Sequence, residues 1–162
     1  MTLDKYTIKA QEAVQAGVQA AQAAQQQSVE PIHLLKGILE KAQDITHFIF
    51  QKLGVNAQAV DMALHNELQH LPKVSGGQPY LSNDSVQVLN KAEELSQKMG
   101  DEFVSVEPIL LALMQGNHMA GRILKDAGCT EEGVRKAIES LRQGQQVKSQ
   151  SGDENYQALS KY

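Results

Sequence analysis

Five histidines, His33, His47, His65, His70 and His118, and one cysteine, Cys129, are the residues of this chain that could ligate a soft metal or carry a nucleophile. None of the histidines pairs with another, or with Cys129, at a metal-ligand spacing, and His65 and His70, five apart, fall off a shared helical face. They read as ordinary surface or boundary histidines, and no metal is expected. No Gly-x-x-x-x-Gly-Lys-Ser/Thr loop is present to cradle a nucleotide, so no ATP site and no other cofactor is expected in this segment. The remaining cluster is Asp101, Glu102 and Glu107 around the apolar pair Phe103-Val104. An acidic and apolar rim at the start of a helix suits the helix dipole. At a junction between packed bundles it also suits a groove that receives an extended or helical peptide. No catalytic constellation stands out, and the chain is expected to be non-enzymatic.

The elements that position this rim are helical. With 162 residues, 41% hydrophobic content, no tryptophan and three phenylalanines, the core must be built from Ala, Leu, Val, Ile and Met, which suits closely packed helices. Length favours one domain. A net charge of −4 and the lack of any Lys/Arg cluster disfavour nucleic acid. The opening Met-Thr-Leu-Asp-Lys lacks a signal-peptide layout and no apolar run reaches membrane-span length, so a soluble, cytoplasmic protein is expected. A single cysteine agrees with a reducing compartment.

The chain repeats itself. Val-Glu-Pro-Ile occurs at 29–32 and again at 106–109, Tyr6-Thr7 falls opposite Leu81-Ser82, and Leu53-Gly54-Val55 falls opposite Ala127-Gly128-Cys129. Cys129 thus stands where the first half has Val55, and reads as a small core residue. Aligned on the tetrapeptides, the two halves drift by one or two residues between periodic segments, as small loop insertions would require. In the first helix Ala10, Ala13, Val14, Gly17, Ala20, Ala21 and Ala24 form a small-residue stripe; its bulkier counterpart carries Val88, Leu89, Ala92, Leu95, Ser96 and Met99, ending at Gly100. Pro31 and Pro108 are expected at the first position of the second helix in each half, with Glu30 and Glu107 at the positive end of its dipole. A third short helix closes at Gly54 or Gly128, and a fourth starts at the caps Asn56 and Thr130. The expectation is an all-α fold of two pseudo-symmetric four-helix repeats, residues 1–71 and 82–142, about eight helices in one globular domain. Residues 72–79 read as the inter-repeat linker and 143–155 as a flexible tether. Residues 156–162 regain helical spacing and read as the truncated start of a following module.

These residues resemble a known family. Tyr6-Thr7, Glu-Pro-Ile-His-Leu-Leu at 30–35, Leu53-Gly54-Val55-Asn56, Leu71-Pro72 and Lys98-Met-Gly-Asp-Glu-Phe-Val104 together are similar to the double-repeat Clp N-terminal domain over residues 1–142. The run Asp153 to Tyr162 resembles the lead-in to the first ATPase module of the ClpB branch, the ATP-driven disaggregases. The resemblance implies a substrate-engaging module above a homohexameric motor that uses ATP and magnesium and works with a cooperating chaperone system. The isolated domain is expected to be a monomer. Its expected partners are unfolded or aggregated polypeptides, with no nucleic acid and no membrane. The resemblance carries substrate handling onto Thr7, Asp101 and Glu107, and places Leu89, Leu95 and Phe103 as the apolar lining of a groove. Pro108 departs from the larger apolar residue common there. Related Clp unfoldases open the second helix of each repeat with Thr-Glu-His to bind adaptors or arginine-phosphorylated chains. The openings here, Glu-Pro-Ile-His and Glu-Pro-Ile-Leu, argue against phosphoarginine. The alternative to substrate capture is an adaptor-docking or regulatory domain with no substrate contact.

Overall fold

The computed structural model describes residues 2–74, 76–154, 156 and 159. The reading of residues 156–162 as the start of another module falls, apart from Tyr156 and Leu159, outside the described residues. Among those described, eight helices make the fold: α1 (Ile8–Ala23), α2 (Pro31–Lys41), α3 (Gln43–Leu53), α4 (Ala57–Gln69), α5 (Asn83–Lys98), α6 (Val106–Gln115), α7 (Met119–Asp126) and α8 (Glu131–Arg142). The all-α, two-repeat architecture is as the periodicity dictates.

Each repeat begins with the same cap. Thr7 Oγ1 accepts from the Ala10 amide and Ser82 Oγ from the Ser85 amide, each at 3.1 Å, satisfying one of the free donors at the helix start. Asn56 and Thr130 cap α4 and α8 in the same way. The halves are interleaved. Helix α3 packs on α8 and α4 on α7, so each repeat closes the other's core. The strand β1 (Ser28–Val29), which leads into α2, pairs in parallel with β2 (Tyr80–Leu81), which leads into α5. By the same symmetry Tyr6, before α1, bridges Val104, before α6.

This pairing corrects the alignment drawn from the tetrapeptides. Thr7 and Ser82 cap equivalent helices 75 residues apart, and Glu30 and Ser105, also 75 apart, occupy the N-cap positions of α2 and α6. Val-Glu-Pro-Ile is therefore out of step by two residues between the halves, and no loop insertion separates the first helix from the second. Pro31 is the first residue of α2 as expected, but Pro108 is the third of α6, the counterpart of His33. A proline is tolerated there because the first four amides of a helix have no intrahelical acceptor. Glu107 replaces Ile32, so its carboxylate enters the interior where the first repeat has an aliphatic side chain.

Helices α1 and α2 approach closely. A Cβ on Gly37 would stand 1.9 Å from the Ala13 carbonyl oxygen, and one on Gly17 2.6 Å from that of His33. The second repeat has Ala92 and Ala112 at these places, consistent with its bulkier stripe. His33 differs from the surface setting expected of the histidines. It is buried, with Nδ1 accepting from the Glu30 amide at 2.9 Å and Nε2 donating to Gln26 Oε1 at 2.7 Å. Burial lowers its pKa and keeps it neutral.

The flexible tether was expected over residues 143–155; of these the structure describes 143–154, and they pack on the domain through the buried Val147 and Asp153. Gln143 (φ 50°) and Gly144 (φ 85°) turn the chain back after α8, and the segment then runs across the junction between the repeats to a short 3-10 turn, Gly152–Glu154. Its composition hid this, since Val147 is its one apolar residue and a single apolar side chain leaves no periodicity.

Candidate functional site

The site forms where α8 ends, α6 begins and the chain enters α1. Helix α5 stops in a Schellman turn: Gly100 is left-handed (φ 77°), its amide donates to the Gln97 carbonyl, and the Asp101 amide donates to that of Ser96. This swings Asp101 under Arg142, the last residue of α8. Arg142 Nη1 donates to both Asp101 oxygens, at 3.0 and 2.9 Å; Nε donates to Glu107 Oε2 at 3.0 Å and Nη2 to Ser105 Oγ at 2.8 Å. Both Asp101 and Glu107 side chains are sealed from solvent. The Tyr156 hydroxyl donates to the same Glu107 oxygen, and the Arg142 guanidinium lies 5.6 Å from the Tyr156 ring centre. Burial, then the charge of Glu107, pushes the Tyr156 phenol far above its ordinary range.

The tail crosses this cluster, without regular structure from Gln145 to Lys148 and in turns from there to Glu154. The Val147 amide donates to Asp101 Oδ1 at 3.0 Å and its carbonyl accepts from the Glu102 amide at 2.8 Å. Three residues on, the Gln150 carbonyl accepts from the Ile8 amide at 2.8 Å, one of the donors that α1 leaves free. Asp153 Oδ2 then accepts from Thr7 Oγ1 at 2.7 Å, so the Thr7 hydroxyl both caps α1 and holds the tail. Val147 and Asp153 are fully buried, while Lys148, Ser149 and Gln150 between them are exposed. Burial pushes the Asp153 carboxyl up to about 7, the charge of Glu107 adding to the rise, and the Thr7 hydroxyl and Lys9 opposing it. Glu107 Oε1 and Asp153 Oδ1 are buried without a hydrogen-bond partner.

Thr7, Asp101 and Glu107 are thus brought together, but beneath the tail rather than on an open surface. Phe103 is half-buried against the core beside them. Leu89 and Leu95 are buried in the core on the inner face of α5, and the expectation that they line a groove is corrected: the stripe that packs a helix and the stripe that lines a cleft have the same period. Sequence reasoning missed Arg142, Ser105, Val147, Asp153 and Tyr156. The nearest signal was an unpaired-looking Arg142 in the last turn of an amphipathic helix. Cys129 is buried, and burial alone raises its thiol to about 11, as suits a core residue. Among the described residues no group of three His, Cys, Asp or Glu side chains could hold a metal ion, and no helix is long and apolar enough to cross a membrane.

Comparison with known proteins places this geometry. Residues 5–127 match the family model described as the Clp repeat (R) N-terminal domain. The whole chain is 51% identical to the chaperone protein ClpB of Bacteroides thetaiotaomicron and 44% identical to that of Porphyromonas gingivalis, and spans 19% of the length of each. In fold, it is similar to the Hsp104 N-terminal domain from Candida albicans, with a TM-score of 0.80 at 21% identity, over 93% of this chain and 99% of that one. The N-terminal domain of the ClpV1 ATPase from E. coli gives a TM-score of 0.76 at 15% identity, over 87% and 88%. The chain belongs to the Clp repeat N-terminal domain family, and is similar along its whole length to ClpB chaperones.

Proposed function

We propose that this domain engages exposed, extended segments of misfolded or aggregated polypeptide and passes them to an ATP-driven motor formed by the longer protein. The observation that carries the reading is the tail itself. Over the junction of the repeats, Ile8 and Glu102 donate backbone amides to the carbonyls of a crossing chain, and that chain buries the apolar side chain of Val147. Such backbone-led recognition tolerates many sequences, as capture of unrelated unfolded chains demands. The likeness to ClpB chaperones supports it. Thr7, Asp101 and Glu107 serve here as the floor of the surface, and Phe103 as part of its apolar rim. ATP and magnesium, hexamer formation, cooperation with another chaperone system and a cytoplasmic setting belong to this proposal for the longer protein.

A regulatory role without substrate contact is the second reading, favoured by the specific docking of the segment that leaves the domain. The two separate in one titration. A reduced, alkylated model protein added to the labelled chain binds saturably if substrate capture is right. Absence of saturable binding, with the tail docked and with it released, leaves the regulatory reading.

A further inference from the structure

The two repeats treat the start of their long helix differently. In the first, Lys9, the second residue of α1, donates to Asp44 Oδ2 at 2.8 Å, so an ion pair ties α1 to the start of α3. In the second, Asp84, the second residue of α5, holds the place of Lys9. His118 holds the place of Asp44, at the same distance before the left-handed glycines Gly54 and Gly128. The carboxylate has changed sides and the cation is missing. Asp84 enters no ion pair among the described residues, and with His118 it lines a cavity of about 360 Å³ whose other walls include Val88, Lys91, Ala112 and Gln115.

This cavity holds buried polar atoms with nothing to bond. Gln115 Nε2 donates to Glu131 Oε1 at 2.8 Å, which fixes the amide and leaves its buried Oε1 without a donor; both ring nitrogens of His118 are also buried without a partner. Burial lowers the His118 pKa, against the charge of Asp84 and with that of Lys125, so the ring is neutral, with one N–H and one acceptor nitrogen. Gln115 Oε1, one ring nitrogen and the exposed Asp84 carboxylate therefore all call for donors, and Asp84 acts on the ring more strongly than Lys125 does. The Lys91 ammonium does not answer them, because it pairs with Glu94 at 3.6 Å, further along α5 from Asp84. A guest rich in N–H donors and positively charged fits this set, and Val88 and Ala112 suit an aliphatic stem behind it.

We propose that the cavity between the start of α5 and the turn from α6 to α7 is a subsite for a cationic N–H group, the side chain of an arginine or lysine on a bound polypeptide, with Asp84, Gln115 and His118 as its acceptors. In the first repeat Lys9 supplies such a group from within the chain; in the second the guest supplies it. The proposal rests on the peptide-engaging function above and adds a side-chain preference to it, at the opposite end of the α5–α6 pair from the Arg142 cluster.

The test titrates the full chain at low ionic strength with four capped alanine pentapeptides whose central residue is arginine, lysine, citrulline or norleucine, followed by NMR at the His118 ring and the Gln115 side-chain amide. The arginine and lysine peptides should give saturable shifts at both places, and the two neutral peptides should bind roughly tenfold or more weakly, for want of a charge-assisted hydrogen bond. Asp84→Asn, on an exposed residue, should bring the charged peptides down to the level of citrulline. His118→Leu should weaken them too while leaving the melting temperature no lower, since it removes two buried nitrogens that have no partner. The proposal is overturned if citrulline binds as tightly as arginine, or if Asp84→Asn binds the charged peptides as the parent does. It is also overturned if the His118 ring is protonated at about pH 7 in the free chain and bonds Asp84 itself, for the cation would then be internal. A reduced, alkylated model protein separates this from the broader function. If it binds the parent saturably while none of the pentapeptides shifts His118 or Gln115, only the subsite falls; if it binds no chain while the arginine and lysine peptides do, the capture function falls and the subsite stands.

Discussion

The Thr7 hydroxyl and the Asp153 carboxylate, 146 residues apart in sequence, meet at 2.7 Å where α1 begins. One hydroxyl therefore ties the first helix of the domain to the last described turn of its tail. The carboxyl is buried beside the Glu107 charge, and this raises it to about 7 while docked, against about 3.9 for a free aspartate.

The first prediction concerns pH. Because the docked pKa is the higher one, protonation favours docking. The contribution is complete below about pH 4 and is lost as pH rises through about 7. Exchange at the Ile8 and Glu102 amides, corrected for intrinsic rates, should show the tail opening more readily at about pH 8 than at about pH 5, by on the order of 2–3 kcal/mol. Asp153→Asn, neutral at both, should flatten that dependence. A tail that opens equally at both pH values in the unaltered chain would contradict the shift. Thr7, Glu107 and Lys9 act on Asp153, and Arg142 and Tyr156 surround Glu107, so Asp153→Asn isolates the one group.

The second concerns Arg142. Replacing it with methionine keeps much of the side-chain volume but strands two buried carboxylates, Asp101 and Glu107. Loss of one partner from such a cluster costs about 3–5 kcal/mol, so the melting temperature should fall by on the order of 10 °C. Adding Glu107→Gln to Arg142→Met should recover part of that loss, since it removes one stranded charge. Thermal denaturation of the two variants and the parent checks both statements; a methionine variant as stable as the parent would show that the guanidinium carries no net weight.

The third uses the internal symmetry. Gln25 ends α1 with φ 59°, in the Schellman position that Gly100 fills 75 residues later at the end of α5. A left-handed conformation strains a side chain and not a glycine, so Gln25→Gly should stabilise the domain by about 0.5–1 kcal/mol. Chemical denaturation should show a higher midpoint with an unchanged slope. A lower midpoint would mean that the Gln25 side chain contributes more than its backbone costs.

The scaffold was legible because its signals are local and repeated. Thr7 and Ser82, Asn56 and Thr130, and the glycines after α3, α5 and α7 each mark an end by a cap or a left-handed turn. The repeated tetrapeptide was less trustworthy than the caps, because four shared letters carry no geometry while the N-caps Glu30 and Ser105 do. The gathering of Thr7, Asp101 and Glu107 was anticipated only through resemblance. Their burial was not, since Arg142 reaches them from the far end of α8 and Asp153 from 46 residues beyond Glu107, contacts that no periodic pattern encodes. Leu89 and Leu95 show the converse, apolar residues whose spacing is the same whether a helix faces a core or a groove.

The surface over the repeat junction can be tested most directly by NMR, titrating a reduced, alkylated model protein against the isotope-labelled chain while following the Ile8, Glu102 and Val147 amides. Saturable shifts are expected at all three, because a segment bound at this junction changes the surroundings of the amides that join the tail to the domain. Saturable binding that leaves these three amides unmoved would place the peptide site elsewhere and contradict the account.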